Sequence, residues 1–383
     1  MNTAAKYSKI IIPLFIIYLT LAPTVFLESG LLRFFPTMTL MLTALLGVLS
    51  FRKGKKAKMG TTISLLCIYI CIMSFVHSAY SEGILTTFLK STYWCWIYFI
   101  SYCIFTETRI KEQQIDNYLI IITLMFCLSF FYNHFTRNAF EILEGDNSVF
   151  YPLMFLPWIA TSTSTTKRWI MLILVAICSI IALKRSGVII ISSVLVILYF
   201  RDFLYKNKNL KQWILGIAVI ISCILVYQFF SSSLLDVSQR FEMIEDDGGN
   251  GREMIYEDVI ERYTSSDIVS QLFGKGYNSV TGTDKTRALS AHNDFLEVLY
   301  DFGAIGFVCY LLIHLSLITW TIRLFRRRSP ISFPVLVSYV CFIVMSMVSH
   351  LILYPTYFGL LVSFWAYAEC RDRQFSYCIN HRV

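Results

Sequence analysis

Charged side chains are scarce in this sequence. Asp, Glu, Lys and Arg together make up 15% of its 383 residues, whereas soluble globular proteins average about 25%. Hydrophobic residues account for 56% of the chain. This deficit of charge argues against a protein whose whole surface faces water. The composition instead favours a chain that has the lipid bilayer as its main solvent.

Cysteine and histidine do not occur in the spacings that hold metal ions. Nearly all of the eleven cysteines lie in apolar runs, where a thiol usually behaves as a small hydrophobic group. None lies in the polar segment 231–291. The histidines form neither an H-x-x-x-H nor an H-E-x-x-H pattern. We therefore expect no structural disulfide, no metal site and no cofactor.

Apolar runs of about the length that crosses the hydrocarbon core, near 20 residues, recur throughout the sequence. They lack the alternation of a membrane β-strand, so helices are expected. The runs are 10–27, 34–50, 61–80, 84–105, 115–135, 148–161, 168–183, 187–200, 212–230, 302–322, 331–349 and 351–369. We predict an all-α, polytopic membrane protein of about twelve transmembrane helices.

Lysine and arginine mark every second connection between the runs. Because cytoplasmic loops of membrane proteins are enriched in these residues, the basic cluster at 52–58 puts loop 51–60 in the cytoplasm. The other basic connections carry Arg109, Lys111, Lys167, Arg168, Arg201, Lys206, Lys208, Lys211, Arg323, Arg326, Arg327, Arg328, Arg371 and Arg373. The alternation predicts that both termini are cytoplasmic.

The same alternation puts the long polar segment 231–291 outside the cytoplasm. It holds eleven acidic and six basic residues, which gives a net charge of −5. We therefore divide the chain into transmembrane helices 1–9 (1–230), one large periplasmic loop (231–291), and transmembrane helices 10–12 with a cytoplasmic tail (292–383).

Residues 251–263 of this loop read as a short amphipathic helix. Met254, Ile255, Val259 and Ile260 form a narrow apolar stripe among charged residues, at the spacing of one helix face.

Cationic side chains and histidine gather at the outer ends of the runs. Lys184 and Arg185 lie at an outer junction, Arg240 and Arg252 lie in the large loop, and His292 ends it. Such residues commonly snorkel to the interface or cap a helix, yet here they run against the cytoplasmic bias of positive charge. A positive outer pocket would suit an anionic, lipid-linked headgroup, to which arginine offers a planar fork.

Three acids follow His292 on one helix face, since Asp294, Glu297 and Asp301 are spaced i, i+3, i+7. Acids favour the first turn of a helix through its dipole, and His292 or Asn293 stands where a cap would. Alternatively, His292 or one of the acids is a general base at the membrane surface. The spacing leaves both interpretations open.

Four motifs occur in a fixed order within residues 180–325. They are Lys184-Arg185-Ser186-Gly187, Asn250-Gly251-Arg252, Leu272-Phe273-Gly274-Lys275-Gly276-Tyr277, and His292-Asn293-Asp294-Phe295-Leu296 followed by Gly303 and Gly306. This ordered set resembles the O-antigen ligase and Wzy-type O-antigen polymerase superfamily. Ten residues separate Arg240 from Gly251, a spacing similar to the Arg-x10-Gly motif of the polymerases. Lys184 departs from the small hydroxyl residue usual before the arginine, and Tyr256 stands where tryptophan is common.

The resemblance implies a GT-C-like membrane glycosyltransferase of the bacterial inner membrane with a periplasmic active site. The family transfers a glycan from a polyprenyl (undecaprenyl) diphosphate donor to a sugar hydroxyl, and direct displacement would invert the anomeric centre. The implied partners are this lipid-linked oligosaccharide, membrane lipid and a chain-length regulator protein, with no nucleic acid.

The resemblance also implies roles for individual residues. Arg185 and Arg252 would hold the diphosphate, with Arg240 and Lys184 in support, and His292 would act on the acceptor hydroxyl. Asp294 and Glu297 are candidate substrate-binding residues.

Three functions remain open at this point. A repeat-unit polymerase is favoured by the Arg-x10-Gly spacing and the acidic outer loop. An O-antigen ligase that joins polymer to the lipid A core shares the same donor chemistry. A flippase or other transporter would need ionisable residues along a path within the spans, where only Lys90 and His314 lie, and internal symmetry is not evident.

Overall fold

The computed structural model describes residues 34–54, 56–76, 84–107, 112–136, 147–182, 184–205, 252–282 and 290–380. Every regular element in these ranges is a helix, which confirms the all-α prediction for this part of the chain. The α-helices are α1 (Phe34–Gly54), α2 (Lys58–Val76), α3 (Ile84–Glu107), α4 (Glu112–Thr136), α5 (Phe150–Met154), α6 (Leu156–Ile159), α7 (Thr165–Ile181), α8 (Arg185–Tyr205), α9 (Arg252–Thr264), α10 (Ile268–Phe273), α11 (Ser279–Gly282), α12 (Asp294–Arg326), α13 (Ser332–Val348) and α14 (Pro355–Asn380). The predicted spans 10–27 and 212–230 lie outside the described residues.

The described helices include several that suit a bilayer by length and composition. Three segments are long and apolar enough to cross it, namely Lys58–Val76, Ile115–Thr136 and Asp294–Arg326, and the shorter Ser332–Val348 is also apolar. The total of about twelve spans and the GT-C-like arrangement remain predictions.

Two of these helices expose continuous apolar stripes. Their members are Leu65, Ile68, Ile72 and Phe75 on α2, and Ile305, Val308, Leu311 and Leu315 on α12. Exposed apolar patches of this extent are rare on soluble monomers, whereas lipid solvates them at no cost. The described part of the chain therefore has the surface of a membrane protein.

Helix α3 lies at the centre of the packing and contacts α1, α2 and α14. Trp94 is fully buried and stacks on Phe358 of α14, with ring centroids 4.5 Å apart. Close packing of large side chains and small residues drives helix association in lipid, and Gly47 of α1 supplies the small residue here, because a Cβ at this position would press on Trp96.

The predicted single span at 148–161 was wrong, because this segment is not one continuous helix. A 3₁₀ turn (Asn147–Val149), α5 and α6 follow one another, and Pro157 in the first turn of α6 cannot donate a helical hydrogen bond. The segment 147–159 rises about 20 Å, less than the roughly 30 Å core. Nearly all the side chains from 148 to 160 are buried, which is the condition under which a bilayer tolerates interrupted backbone.

The connections predicted to be cytoplasmic gather at one end of the bundle. Glu369 of α14 accepts hydrogen bonds from the backbone N–H groups of Lys58 (2.6 Å) and Met59 (3.2 Å) at the start of α2. Asp202 accepts two hydrogen bonds from the buried Arg168, at 2.6 and 2.7 Å. These basic turns thus lie together, as an alternating topology requires.

The opposite end of the bundle holds the connection between α13 and α14 and the start of α12. The Tyr277 hydroxyl donates to the Leu353 carbonyl (3.1 Å), and the Tyr357 hydroxyl donates to the Asn147 carbonyl (3.4 Å). The motif residues of the large loop therefore meet the bundle at the end away from the basic turns.

Candidate functional site

His292 lies in a tight turn immediately before α12. Asn293 is the N-cap, and its side-chain oxygen accepts from the backbone N–H groups of Phe295 (2.9 Å) and Leu296 (3.4 Å). His292 has a left-handed backbone with φ 49°, a conformation that is uncommon in non-glycine residues and costs free energy. Of the two predicted capping residues, Asn293 is therefore the cap, and His292 projects from the turn.

Two of the predicted acids hold this turn in place. Glu297 accepts a 2.6 Å hydrogen bond from the backbone N–H of Ala291, just before His292. Asp294 accepts from the backbone N–H groups of Leu351 (2.9 Å) and Ile352 (3.3 Å). Both acids are 0% exposed, so their described contacts are with the protein and fix the His292 turn against the connection between α13 and α14.

The third acid, Asp301, binds the predicted Gly-x-Gly turn. Its carboxylate accepts from the backbone N–H groups of Asn278 (2.6 Å) and Ser279 (3.0 Å). The Lys275 and Gly276 N–H groups donate to the carbonyls of Tyr300 (3.1 Å) and Asp301 (2.8 Å). The two sequence motifs that were predicted separately thus form one structural unit.

Gly303 kinks α12 where this unit forms, with φ 66° and ψ −175°. A Cβ on Gly303 would collide with the Leu272 carbonyl, and one on Gly274 would collide with the Asp301 carbonyl. Glycine is required at both positions by the left-handed backbone and by this close approach. Tyr69 of α2 completes the kink, because its hydroxyl hydrogen bonds to the carbonyls of Phe302 (2.7 Å) and Phe273 (3.1 Å).

A second histidine, His350, stacks on the ring of His292. The ring centroids are 4.7 Å apart and the planes differ by 26°. The Ser290 hydroxyl lies 3.3 Å from Nδ1 of His350, and the Tyr354 ring also stacks on His350 with centroids 4.9 Å apart. His350 is buried and belongs to the connection between α13 and α14.

Cationic groups surround the two histidines. Burial lowers the pKa of the His292 imidazole below its ordinary value of 6.5, and the charges of Arg252 and Lys184 lower the pKa further. Burial lowers the pKa of His350 to about 3, and His292 and Arg252 act in the same direction. Both imidazoles are therefore neutral at pH 7, so the His292 ring is in the form that can accept a proton.

Arg252 and Arg185 are each the first residue of a helix, α9 and α8 respectively. A positive side chain at a helix N-terminus opposes the helix macrodipole, so its presence there needs another reason. Helix N-termini carry unpaired N–H groups that bind anions. Arg252 and Lys184, which directly precedes α8, both act electrostatically on His292, so this part of the protein is electropositive and suits an anion.

The structure brings together only part of the predicted site. Lys184, Arg252 and His292 share one neighbourhood, and Arg185 directly follows Lys184 in the chain. The side chain of Arg185 and the whole of Arg240 lie outside what the structure describes. The substrate roles predicted for Asp294 and Glu297 remain predictions, and their described contacts are structural.

His350 and Tyr354 belong to the same site but were not assigned from the sequence. The signal available was an imidazole and two tyrosines in one short connection, 349–357, at the outer end of a span. Their proximity to His292 depends on tertiary packing across 58 residues, which no local pattern records.

The predicted amphipathic helix of the loop is present as α9, from Arg252 to Thr264. Ile255 and Val259 face a small cluster with Val280, Ala291 and Tyr300. Two members of the predicted stripe, Met254 and Ile260, are instead exposed.

The fold and site together define a helical membrane protein with a histidine and cationic centre at one end of the bundle. Residues 169–311 match the family model described as O-antigen ligase. The match spans all four motifs and confirms the resemblance to the O-antigen ligase and Wzy-type superfamily. It indicates a ligase- or polymerase-type function, that of a membrane glycosyltransferase-like enzyme. Comparison with curated proteins gives no match.

Proposed function

We propose that this protein is a polysaccharide repeat-unit polymerase of the O-antigen type. It transfers a glycan from a polyprenyl diphosphate donor to a sugar hydroxyl of a lipid-linked acceptor. The observation that carries the proposal is the position of His292, a neutral imidazole held in a strained turn beside the charges of Arg252 and Lys184.

The cations act on the leaving group. A diphosphate departs with the electron pair of the broken anomeric C–O bond, so it needs stabilisation of negative charge more than it needs a proton. Arg252 and Arg185 contact its oxygens, assisted by Lys184 and by Arg240. Charges fixed in advance in a partly water-excluded site stabilise such a transition state most effectively.

His292 acts on the acceptor. Its neutral ring takes the proton of the attacking hydroxyl while that oxygen forms the new bond to the anomeric carbon. Attack from the face opposite the diphosphate inverts this carbon. Neither step calls for a metal ion or an organic cofactor.

The buried acids position these groups. Glu297 and Asp294 hold the turn that carries His292, through the Ala291 and Leu351 backbone. His350 supports the ring of His292 from one side. A displacement of about 1 Å at a reacting group can cost a factor of about 100 in rate, so this support matters to the reaction.

We assign the site to the periplasmic side of the inner membrane. Support comes from the basic turns, which gather at the other end of the bundle, since positively charged connections favour the cytoplasm. A periplasmic site also agrees with polymerisation of glycans destined for the cell surface.

An O-antigen ligase is the second candidate, because the matched family model carries that description. Both enzymes use the same donor, so the groups around His292 serve either reaction. The acceptor differs, being the lipid A core for a ligase.

Deletion of the gene, followed by gel analysis of the lipopolysaccharide, tests the proposal. A core that carries a single repeat unit is expected for loss of a polymerase. A bare core with polymer still on the carrier lipid would mean a ligase, and a bare core with carrier intermediates facing the cytoplasm would mean a flippase.

A further inference from the structure

Helix α10 has an apolar face that is exposed in the described part of the protein, most of all at its N-terminal end. Ile268, Val269, Leu272 and Phe273 lie at i, i+1, i+4 and i+5, which is one side of a helix. Ile268 is 73% exposed and Val269 is 65% exposed. The helix belongs to the polar segment 231–291, in which an exposed apolar patch is unexpected.

The polar side of α10 is tied back to the protein. Asp267 caps the helix by accepting from the Ser270 backbone N–H (3.0 Å). The Gln271 side-chain nitrogen donates to the carbonyls of Thr264 (2.9 Å) and Ser266 (3.0 Å). These bonds hold the polar side of α10 against the turn that follows α9, and Ile268 and Val269 take no part in them.

The C-terminal end of α10 is bonded to α2, next to the exposed apolar stripe of that helix. The Phe273 carbonyl bonds to Tyr69, which lies next to Ile68 in the exposed stripe of α2. Helix α2 continues for seven residues beyond Tyr69, about 10 Å along its axis, and ends with Phe75 and Val76, which are 63% and 64% exposed.

Helix α12 also brings its exposed apolar stripe close to the end of α10. The backbone carbonyl of Leu272 lies close to Gly303 at the kink, and the exposed stripe of α12 begins two residues later, at Ile305. The C-terminal end of α10 therefore lies beside both of these exposed apolar stripes, and Ile268 and Val269 extend the exposed apolar surface from there.

We infer that α10 is an interfacial helix, whose apolar face inserts into the lipid leaflet on the side of the candidate site. The occupant of the patch is membrane lipid. Interfacial helices often carry lysine or arginine on the polar face to attract anionic lipids, but α10 has neither, so its insertion depends on apolar burial. The helix anchors the Gly274 turn and the α12 kink at the membrane surface, and this inference does not depend on the transfer reaction.

Spin-label accessibility in liposomes tests the inference with the full-length chain. A nitroxide is attached to p-acetylphenylalanine at position 269, and separately at 268, which leaves the native cysteines untouched. Position 308 on the α12 stripe is the lipid reference, and the exposed position 261 on α9 is the water reference.

Labels at 268 and 269 are expected to resemble the label at 308, with high collision rates for oxygen and low rates for a water-soluble nickel chelate. Rates like those at 261 would overturn the inference, because the helix would then face water. Low rates for both reagents would also overturn it, because protein from elsewhere in the chain or from a second copy would then cover the patch.

Discussion

The imidazole of His292 rests on the imidazole of His350, with the two centroids 4.7 Å apart. His350 in turn is set by Ser290, which lies in the same turn as His292. Arg252 acts on both stacked imidazoles and Lys184 acts on His292, so further positive charge on the rings is unfavourable. The neutral state of His292, which the proposed base needs, follows from its neighbours.

Replacement of His350 tests this support. His350→Ala removes both the stacking surface and the bond to Ser290, and polymer formation should fall by roughly 10- to 100-fold through misplacement of His292. His350→Phe keeps the stacking surface and should retain more activity than His350→Ala. The measurement is polymer per unit of membrane protein, and equal activity in both variants and wild type would contradict a positioning role.

The pKa of His292 should respond to Arg252. In Arg252→Gln one positive charge is lost, so the pKa should rise, yet burial and Lys184 should keep it below 6.5. Two-dimensional NMR of histidine-labelled protein measures it, with His292→Asn for assignment and Arg326→Gln, at the opposite end of the bundle, as the control. An unchanged pKa in Arg252→Gln would show that the two residues are not neighbours.

The pH below which activity is lost should depend on the pKa of His292. Because the pKa of His292 is lowered, the neutral base persists as pH falls below 6.5 and is lost only at lower pH. Wild-type activity should therefore hold at pH 6.5, and Arg252→Gln, where it retains measurable activity, should lose it at higher pH than wild type. A wild-type profile that is already half lost above pH 6.5 would contradict the assignment of His292 as the base.

Gly303→Ala should severely destabilise the protein. The backbone there has φ 66°, which costs about 1–3 kcal/mol for a non-glycine residue, and the added Cβ meets the Leu272 carbonyl. Thermal unfolding in detergent measures the loss. Gly187→Ala is the matched control, since its closest contact would be the flexible end of Leu153 at 3.3 Å, and Ser179 and Lys184 would lie at ordinary distances of 3.7 and 3.8 Å. Similar melting temperatures for the two variants would contradict this account of the kink.

Tyr69→Phe should weaken the attachment of α10 and the kink. It leaves the carbonyls of Phe302 and Phe273 without this donor, at a cost of about 1–3 kcal/mol for a buried group. Tyr118→Phe is the control, because Tyr118 is 59% exposed on α4. Hydrogen exchange over 268–282 should quicken in Tyr69→Phe alone, and no difference between the variants would count against the attachment.

The sequence predicted helices from the length of its apolar runs and helix α9 from local periodicity, and both signals are local. It did not predict the broken crossing at 147–159, because hydropathy averages over Pro152 and Pro157 and does not reveal that the segment is enclosed by other helices. A prediction from hydropathy depends on the length of an apolar run. The interruption of the helix is tolerated because the segment is buried within the protein.

The candidate site was only partly predicted, because local spacing does not reveal contacts between residues that are distant in sequence. The spacing of Asp294, Glu297 and Asp301 on one face was correct, since all three are buried on α12. Their partners, such as Leu351 and Asn278, lie 57 and 23 residues away from the acids that bind them. Pairing across such distances arises only when the helices pack, and the stack of His292 on His350 is hidden in the same way.

The most direct test of the central claim is the polymer made by variants of the three proposed catalytic groups. Arg185→Ala, Arg252→Ala and His292→Ala are each expressed in the deletion strain, with Arg326→Ala as the control and immunoblotting for protein level. Each variant should lose roughly a hundredfold or more of polymer, and Arg185→Lys and Arg252→Lys should also be poor, because lysine lacks the bidentate fork. Normal polymer from any two of the alanine variants, at normal protein level, would contradict the account.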